Sequence, residues 1–399
     1  MLNQNYSHPE TIMSFDLKLL QLVGIEGKGK HKWIRCGVLF ATYIIVCVIP
    51  QLFGGQPDVH HSVRASVEFI FNCNLFVGCL MFSIAKPNFT QFVAGLRDLS
   101  ECVCSFSFEL KNILTRFNKR MDVYAKAHTA IMVCIGVFYW VAPLPRTYWV
   151  YFTNSSAPLH LAQHLEQKFY WLDNRSSMAD YTVFVIIMLP FTFLCATLIN
   201  VKLVTTSISI TYCAKFANVV KLAVEDLDDI SSMEQLSKKL AKIVSLHKKL
   251  LCCVQMLDKT LNPVLLLQWT LCVLNWSVTL LYLYYCGINL RSVTIIIMFS
   301  LITLETFLYC ALGTLLVARG EQLERALYSR RWYTLPIEMQ KNLLLMLSRA
   351  QKPLRITVGK FYQLNVEEFG RMVNLSYSAF VVLKDQIQLD GLEGVQYKH

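Results

Sequence analysis

Charge is scarce in this chain. Asp, Glu, Lys and Arg make up 16% of its 399 residues, against about 25% in a typical soluble domain. Unstructured chains need high charge and low hydrophobicity, so disorder is excluded. A nucleic-acid binder is disfavoured too, although 38 Lys+Arg against 27 Asp+Glu give a net charge of +11. Sixteen Gly and eleven Pro are too few for a fibrous or low-complexity protein. No P-loop, dinucleotide fingerprint or Ser/His/Asp cluster at recognisable spacing occurs, so neither an enzyme nor a cofactor is expected. The first thirty residues are polar and mixed, without the apolar core and small-residue cleavage site of a signal peptide. What the chain has in excess is apolar sequence, with 54% hydrophobic residues and a mean hydropathy of +0.41. Its fourteen Cys are scattered, mostly inside apolar runs such as those holding Cys47, Cys134 and Cys272, and read as small buried hydrophobes. The chain reads as a polytopic membrane protein.

A bilayer core of about 30 Å takes about 20 apolar residues as a helix. Such runs lie near 34–53, 63–85, 127–145, 181–206, 263–287 and 292–318. A seventh, 361–384, is weaker because Glu367, Glu368 and Arg371 occupy its first half. The expected fold is therefore all-α with seven transmembrane helices. Basic residues set the orientation. Segments 1–35, 86–126, 202–262 and 319–360 hold 30 of the 38, the intervening segments hold seven, and Arg371 lies within the seventh run. The N-terminus (1–33) is then cytosolic and the C-terminal tail (385–399) extracellular. The long connections are an extracellular loop, 144–180, and a cytosolic loop, 207–262. Two glycosylation sequons, at Asn154 and Asn174, fall in the extracellular loop, although a third at Asn88 lies on the cytosolic side. That loop has no Cys, so no disulfide is expected within it.

A G-protein-coupled receptor has the opposite orientation, and neither an Asp-Arg-Tyr after the third run nor an Asn-Pro-x-x-Tyr in the seventh is present. Asn262-Pro263 only opens the fifth run, where Pro suits a first helical turn. A transporter would show paired halves, and seven runs without an internal repeat do not divide that way.

The most specific text lies in the last hundred residues. It runs Phe307-Leu308-Tyr309-Cys310, Gly313, Ala326-Leu327-Tyr328-Ser329 and Trp332-Tyr333. There follow Arg349-Ala350-Gln351-Lys352-Pro353-Leu354, Gly359-Lys360-Phe361, Phe369 and Ser376-Tyr377-Ser378-Ala379-Phe380. In this order and spacing it resembles the insect odorant receptor family. The first three hundred residues are similar in span number, topology and loop lengths only. The resemblance implies a subunit of a ligand-gated, non-selective cation channel, with four subunits around one pore lined by the last span. It implies a plasma-membrane protein that binds a small volatile, assembles with a shared coreceptor and needs no G protein. The 207–262 loop lacks the long insertion expected of the coreceptor, so within the resemblance the chain looks like a tuning subunit. The family's usual Tyr-Ser-Tyr/Phe-Phe is Tyr377-Ser378-Ala379-Phe380 here, and sixteen residues follow Leu383. A gustatory-type receptor channel of the same topology and a non-conducting accessory membrane protein stand as alternatives.

Residues 334–352 have apolar side chains at helical spacing, then Pro353 and Gly359 break the helix. Segment 319–360 is thus a cytosolic anchor region, read either as a helix lying on the membrane or, through the resemblance, as a subunit-packing element. The pore helix would be 361–384. Val382, beside Val381, is the candidate gate, because small apolar side chains can close a pore by dewetting, with Asp385 and Gln386 beyond it at the mouth. Lys384 is awkward in a cation pore and is expected to face away or to be offset by Asp385 or by partner subunits. A mostly apolar pocket would be built from the outer halves of the 34–318 bundle. Its candidates are Phe69, Cys73 and Phe76 in the second run and Gly136, Tyr139 and Trp140 in the third. The remaining runs add Ile187, Pro190, Tyr282, Tyr285, Phe299 and Thr303, although aromatics near span ends are also ordinary interface anchors. Glu305 is read as the only carboxylate deep in the first six runs, satisfied by a neighbouring helix. His160 and His164 can hold a metal only weakly as a pair, and are expected on a solvated loop face.

Overall fold

The computed structural model describes the chain apart from residues 1–5, 7, 26–30, 56–58, 143, 154–160, 162, 228–231, 289–291, 331 and 397–399. Helix α1 (Ser14–Leu22) precedes α2 (His31–Tyr43), which passes through a π-helical turn, Ile44–Val48, into α3 (Ile49–Phe53). Then come α4 (Val59–Cys104), α5 (Phe108–Val141), α6 (Leu144–Phe152), α7 (Met178–Glu225), α8 (Met233–Cys286) and α9 (Val293–Tyr328). Helix α10 (Ile337–Ala350), a two-stranded hairpin of β1 (Thr357–Val358) and β2 (Tyr362–Gln363), and α11 (Val366–Gln396) complete it. The architecture is all-α, as expected.

Among the described residues six helical stretches are long and apolar enough to cross a membrane, from Trp33–Phe53 to Val293–Thr334. Helix α11 is outside that set: Glu367, Glu368 and Arg371 cluster in its first two turns, and Asn374, Ser376, Ser378, Lys384, Asp385 and Gln386 keep the remainder too polar. It also begins five residues after the expected 361 and runs on through the stretch expected as a tail. Three helices far exceed a bilayer. At 46, 48 and 54 residues, α4, α7 and α8 span about 70–80 Å at 1.5 Å per residue. The stretch 207–262, expected as a loop, is accordingly the end of α7 and the start of α8. The two ends of its sequence pattern explain this: Ile208, Tyr212, Phe216, Val219 and Ala223 continue a buried stripe beyond the apolar run, as do Leu246, Leu250, Cys253 and Leu257 before Pro263. Pro263 is inside α8, not at its first turn.

Helices α4 and α8 form the central antiparallel pair. Gly95 lets them close up, since a Cβ there would lie 2.9 Å from Cys253 Sγ, and Lys249 Nζ donates to Cys102 Sγ at 3.0 Å. The hairpin is pinned to α8 as well. Thr357 donates its N–H to Asp258 Oδ1 at 2.6 Å and its hydroxyl to the same oxygen at 2.9 Å, while Asn262 Nδ2 donates to Thr357 Oγ1 at 2.7 Å. Gly359 (φ +61°) and Lys360 (φ +64°) make its left-handed turn.

The N-terminal segment packs on α5 and α7. Tyr6 donates to Asp122 Oδ2 at 2.9 Å, and Tyr212 donates to Asn118 Oδ1 at 3.1 Å. Asp16 is buried beneath α1, and burial, then the nearby Asp122 carboxylate, pushes its carboxyl up to about 7. Lys126 is already engaged by Asp122 at 2.5 Å. A carboxyl held protonated by the fold favours the native state at low pH and loses that advantage as pH rises from about 4 to 7. Asp16→Asn is therefore expected to stabilise the protein more at pH 8 than at pH 5, by on the order of 2 kcal/mol. Melting temperatures in detergent at the two pH values check this, and an equal effect at both would remove the buried ionisation.

Candidate functional site

The connection from α6 to α7 folds back onto the end of the bundle where α3 meets α4. Glu68 on α4 is fully buried there. It is bound by Arg64 Nε at 2.9 Å and accepts the backbone N–H of Glu166 at 2.5 Å. Arg64 also meets Glu166 Oε2 at 3.1 Å, and Arg175 meets Glu166 Oε1 at 3.2 Å, closing a four-member charge network. The π-helical turn supplies the other docking points. Gln167 Nε2 donates to Val46 O at 2.9 Å and the Tyr170 hydroxyl to Ile45 O at 2.7 Å. A π-turn shifts the hydrogen-bond ladder by one residue and exposes such carbonyls. Gly54 makes room for the same connection, because a Cβ there would meet Lys168 O at 2.9 Å.

Three expectations are corrected here. His164 is buried, not solvated: its Nε2 pairs with Trp140 O at 2.9 Å, Tyr139 donates to its carbonyl at 2.8 Å, and burial together with nearby Arg64 lowers its pKa. Asn174 is fully buried, with Nδ2 donating to Gln167 O at 3.1 Å and Oδ1 accepting from Phe169 N at 3.4 Å. A glycan cannot occupy an amide enclosed in this way. Glu305 is not the only buried carboxylate, since Glu68 is another. Asn154 and His160 lie outside the described residues.

The expected pocket residues fall into separate groups. Phe76 is stacked between Tyr43 (4.6 Å between centroids) and Phe191 (5.7 Å), and Cys73 is hydrogen-bonded to Tyr43. Phe69 and Ile187 are half-buried against the same core. Gly136 faces α7, where a Cβ would lie 3.2 Å from that of Ala196. Tyr139 and Trp140 bind the connection and α7, the latter through Val185 O at 3.5 Å. Deeper between α8 and α9, Trp276 lies against Phe299 (4.7 Å) and donates to Thr303 Oγ1 at 3.0 Å. Tyr282 is buried. Pro190 and Tyr285, by contrast, turn outward. Pro190 shares its face with exposed Ile186, and Phe191 takes the inward position, while Tyr285 is 49% exposed beside Tyr284.

Below these groups lies a polar network that ties four helices. The Lys202 ammonium on α7 reaches Asn74 Oδ1 (3.0 Å) on α4, Gln268 Oε1 (2.6 Å) on α8 and Glu305 Oε1 (3.2 Å) on α9. Glu305 also accepts from Tyr309 at 2.7 Å and Gln268 at 3.3 Å, and Gln268 donates to Thr306 Oγ1 at 2.8 Å. The expected satisfied Glu305 is found, its partner being a lysine that the charge count had assigned to the cytosol. A Lys and a Glu inside separate apolar runs are the sequence signal for such a pair.

Helix α11 presents two unlike faces. Met372 and Ser376 are buried against the bundle, where Ser277 Oγ donates to Ser376 O at 3.1 Å. Asn374 and Ser378 on the far side, and beyond them Val382, Asp385 and Gln386, are exposed, as are Leu375, Tyr377 and Leu383. Val382 is 62% exposed and Val381 intermediate. Lys384 turns towards α8, with its ammonium 5.0 Å above the Tyr284 ring.

A family model described as 7tm Odorant receptor matches residues 60–377. The chain belongs to the insect odorant receptor family. Odorant receptor 33b of Drosophila melanogaster is 28% identical to this receptor over 146 residues, 36% of this chain and 38% of that one. Odorant receptor 10 of Aedes albopictus is 46% identical over 59 residues, 15% and 16% of the two chains. The receptor thus aligns with well under half the length of these relatives. Its fold is similar to that of the olfactory receptor OR5 from Machilis hrabei, with a TM-score of 0.74 at 17% identity over 95% of this chain and 99% of that one. The same protein in complex with eugenol gives 0.71 at 15%, over 96% and 100%. Six membrane-crossing stretches and this family make it a multi-pass membrane protein.

Proposed function

We propose that this receptor is a tuning subunit of an odorant-gated, non-selective cation channel in the plasma membrane of olfactory sensory neuron dendrites. It assembles with a coreceptor into a heterotetramer, with the N-terminus in the cytosol and the C-terminus outside. The observation that carries this reading is the pair of faces on α11. A helix packed on one side by α8 and α9 and bare on the other, with Ser378, Val382 and Gln386 in one line, is suited to surround an axis with copies of itself. Val382 is the constriction and Val381 its flank. Gln386 and Asp385 lie beyond it, the carboxylate favouring cations at the outer mouth, and membrane lipid covers the outward faces of the bundle. Between α9 and α10 an apolar groove lined by Leu327, Trp332, Leu343, Leu344 and Leu347 leaves Leu344 exposed, which suits packing against a neighbouring subunit.

The ligand is a small apolar volatile held in the outer half of the bundle, near Phe76, Tyr139, Trp140, Phe299, Thr303 and Tyr282. The aromatic lining suits a flat or aromatic molecule, as eugenol is in OR5. Gating follows if the ligand binds the open arrangement better than the closed one. Whole-cell current in a null background, with the receptor alone and then with the coreceptor, tests the reading against a panel of aromatic and aliphatic volatiles. Current in the paired cells only is expected. At the gate, Val382→Thr keeps the side-chain shape and adds a hydroxyl that wets the constriction. The standing current without odorant is expected to rise several-fold at equal surface expression. Unchanged leak and unchanged ion preference would remove Val382 from the gate.

A further inference from the structure

Asn275 and Thr279 lie four residues apart on α8, on one face of the helix, and are 0% and 1% exposed. Neither Asn275 Nδ2 nor Oδ1 has a hydrogen-bond partner among the described residues, and Thr279 Oγ1 has none either. Unpaired buried amides are rare, because each polar group taken from water without a partner costs about 1–3 kcal/mol. The polar side chains between them, Trp276 and Ser277, are both engaged. Trp276 donates to Thr303 on α9 and Ser277 to the Ser376 carbonyl on α11. At about 100° per residue that leaves Asn275 on the side where α8 packs against α4. Gln268, seven residues away, belongs to the Lys202–Glu305 network, so Asn275 stands about 10 Å further along the helix, level with the Trp276–Phe299 pair. It is thus two turns beyond that network and takes part in none of its hydrogen bonds.

We propose that Asn275 and Thr279 are the polar anchor of the ligand site and select a volatile bearing a hydroxyl group, an alcohol or a phenol. A hydroxyl donates one hydrogen bond and accepts others, so it can receive Asn275 Nδ2–H while donating to Oδ1 or to Thr279. A hydrocarbon of the same shape leaves the amide unpaired, and a carbonyl or ester satisfies only its donor. Sites that bury unpaired polar groups discriminate strongly against analogues lacking the matching group. The proposal rests on the reading of the outer bundle as the odorant site and adds the chemistry that orients the odorant there.

The test uses the purified full-length receptor, alone and assembled with the coreceptor, and follows thermal stabilisation in titrations with matched pairs. The pairs are benzyl alcohol with toluene, and 1-hexanol with hexane. In the wild type each alcohol should reach half-saturation at a concentration about tenfold or more below that of its hydrocarbon. Asn275→Leu should abolish that preference and Thr279→Val should weaken it. Equal half-saturation in the wild type, no stabilisation by either alcohol, or a preference that survives both substitutions together overturns the proposal. The ligand-free melting temperature is a second reading. Asn275→Leu should leave it equal or raised, because an unsatisfied amide is removed, and a fall of several degrees would mean that the amide is already paired. Odorant-evoked current separates the two levels of inference. A receptor that conducts in response to volatiles but prefers no hydroxyl loses the anchor and keeps its channel function, whereas one with no current under any volatile loses the channel reading itself.

Discussion

Lys202→Met will cost the folded receptor about 3–5 kcal/mol, because it leaves the Glu305 carboxylate buried without its counter-charge. The side chains are 4% and 10% exposed, so solvent cannot take over. Glu305→Leu should cost a similar amount for the converse reason, since the ammonium then keeps only the amide oxygens of Asn74 and Gln268. The double variant discriminates a true ion pair from two separate contacts. Replacing both charges by apolar groups of comparable size removes the desolvation penalty with the attraction, and such replacements in other proteins are near neutral. It should therefore recover more than half of the loss summed over the singles. Melting temperatures in detergent and surface expression measure it, and simple additivity of the two losses would show that the pair is not coupled. The network joins α4, α7, α8 and α9, so the singles are also expected to shift odorant potency.

How much of this could be read from the sequence depends on whether one residue or a pattern carried the information. Apolar runs of about 20 residues located six spans, because length and composition suffice for that. They could not show that α7 and α8 continue as packed helices through 207–262. There the buried stripe of Ile208, Tyr212, Phe216 and Val219 is diluted by polar neighbours, and window averages fall although the periodicity persists. The motif around Phe307, Gly313 and Ser376 placed the family correctly. Pocket residues were harder. Phe76 and Pro190 look alike as apolar groups near the middle of a span, and only the rotation of α7 decides that Phe191 points in and Pro190 out. Asn174 shows the same limit, since a sequon records three residues and not the burial of the amide. The charges were misread for a different reason. Lys202 and Arg64 were counted by position along the chain, whereas their environment is set by Glu305 and Glu68 on other helices.

Gly313→Ala is expected to be the most damaging methyl that can be added to the bundle. A Cβ at Gly313 would stand 2.0 Å from Leu364 O, 2.9 Å from its carbonyl carbon and 3.0 Å from its Cγ. The obstacle is backbone and not the end of a flexible side chain, so the segment itself must move. It is held from both sides. Leu364 N donates to Ile356 O at 2.9 Å, and Val366 N, at the start of α11, donates to Thr314 Oγ1 at 3.1 Å. Moving Leu364 therefore pulls on the hairpin that Asp258 and Asn262 anchor to α8, and on the first turn of the helix proposed to line the pore. Overpacking of this kind costs about 1–3 kcal/mol and sometimes more, against a gain of up to about 1 kcal/mol when Ala replaces Gly in a helix. Gly370→Ala in α11 separates the two effects, because nothing lies within 4 Å of its Cβ position. It should show the propensity gain alone, as a raised melting temperature. Gly313→Ala should melt several degrees lower and alter the standing current, since the start of α11 is displaced. Stability equal to the wild type would contradict the close approach of α9 to Leu364, and with it the coupling of α9 to α11 through that contact.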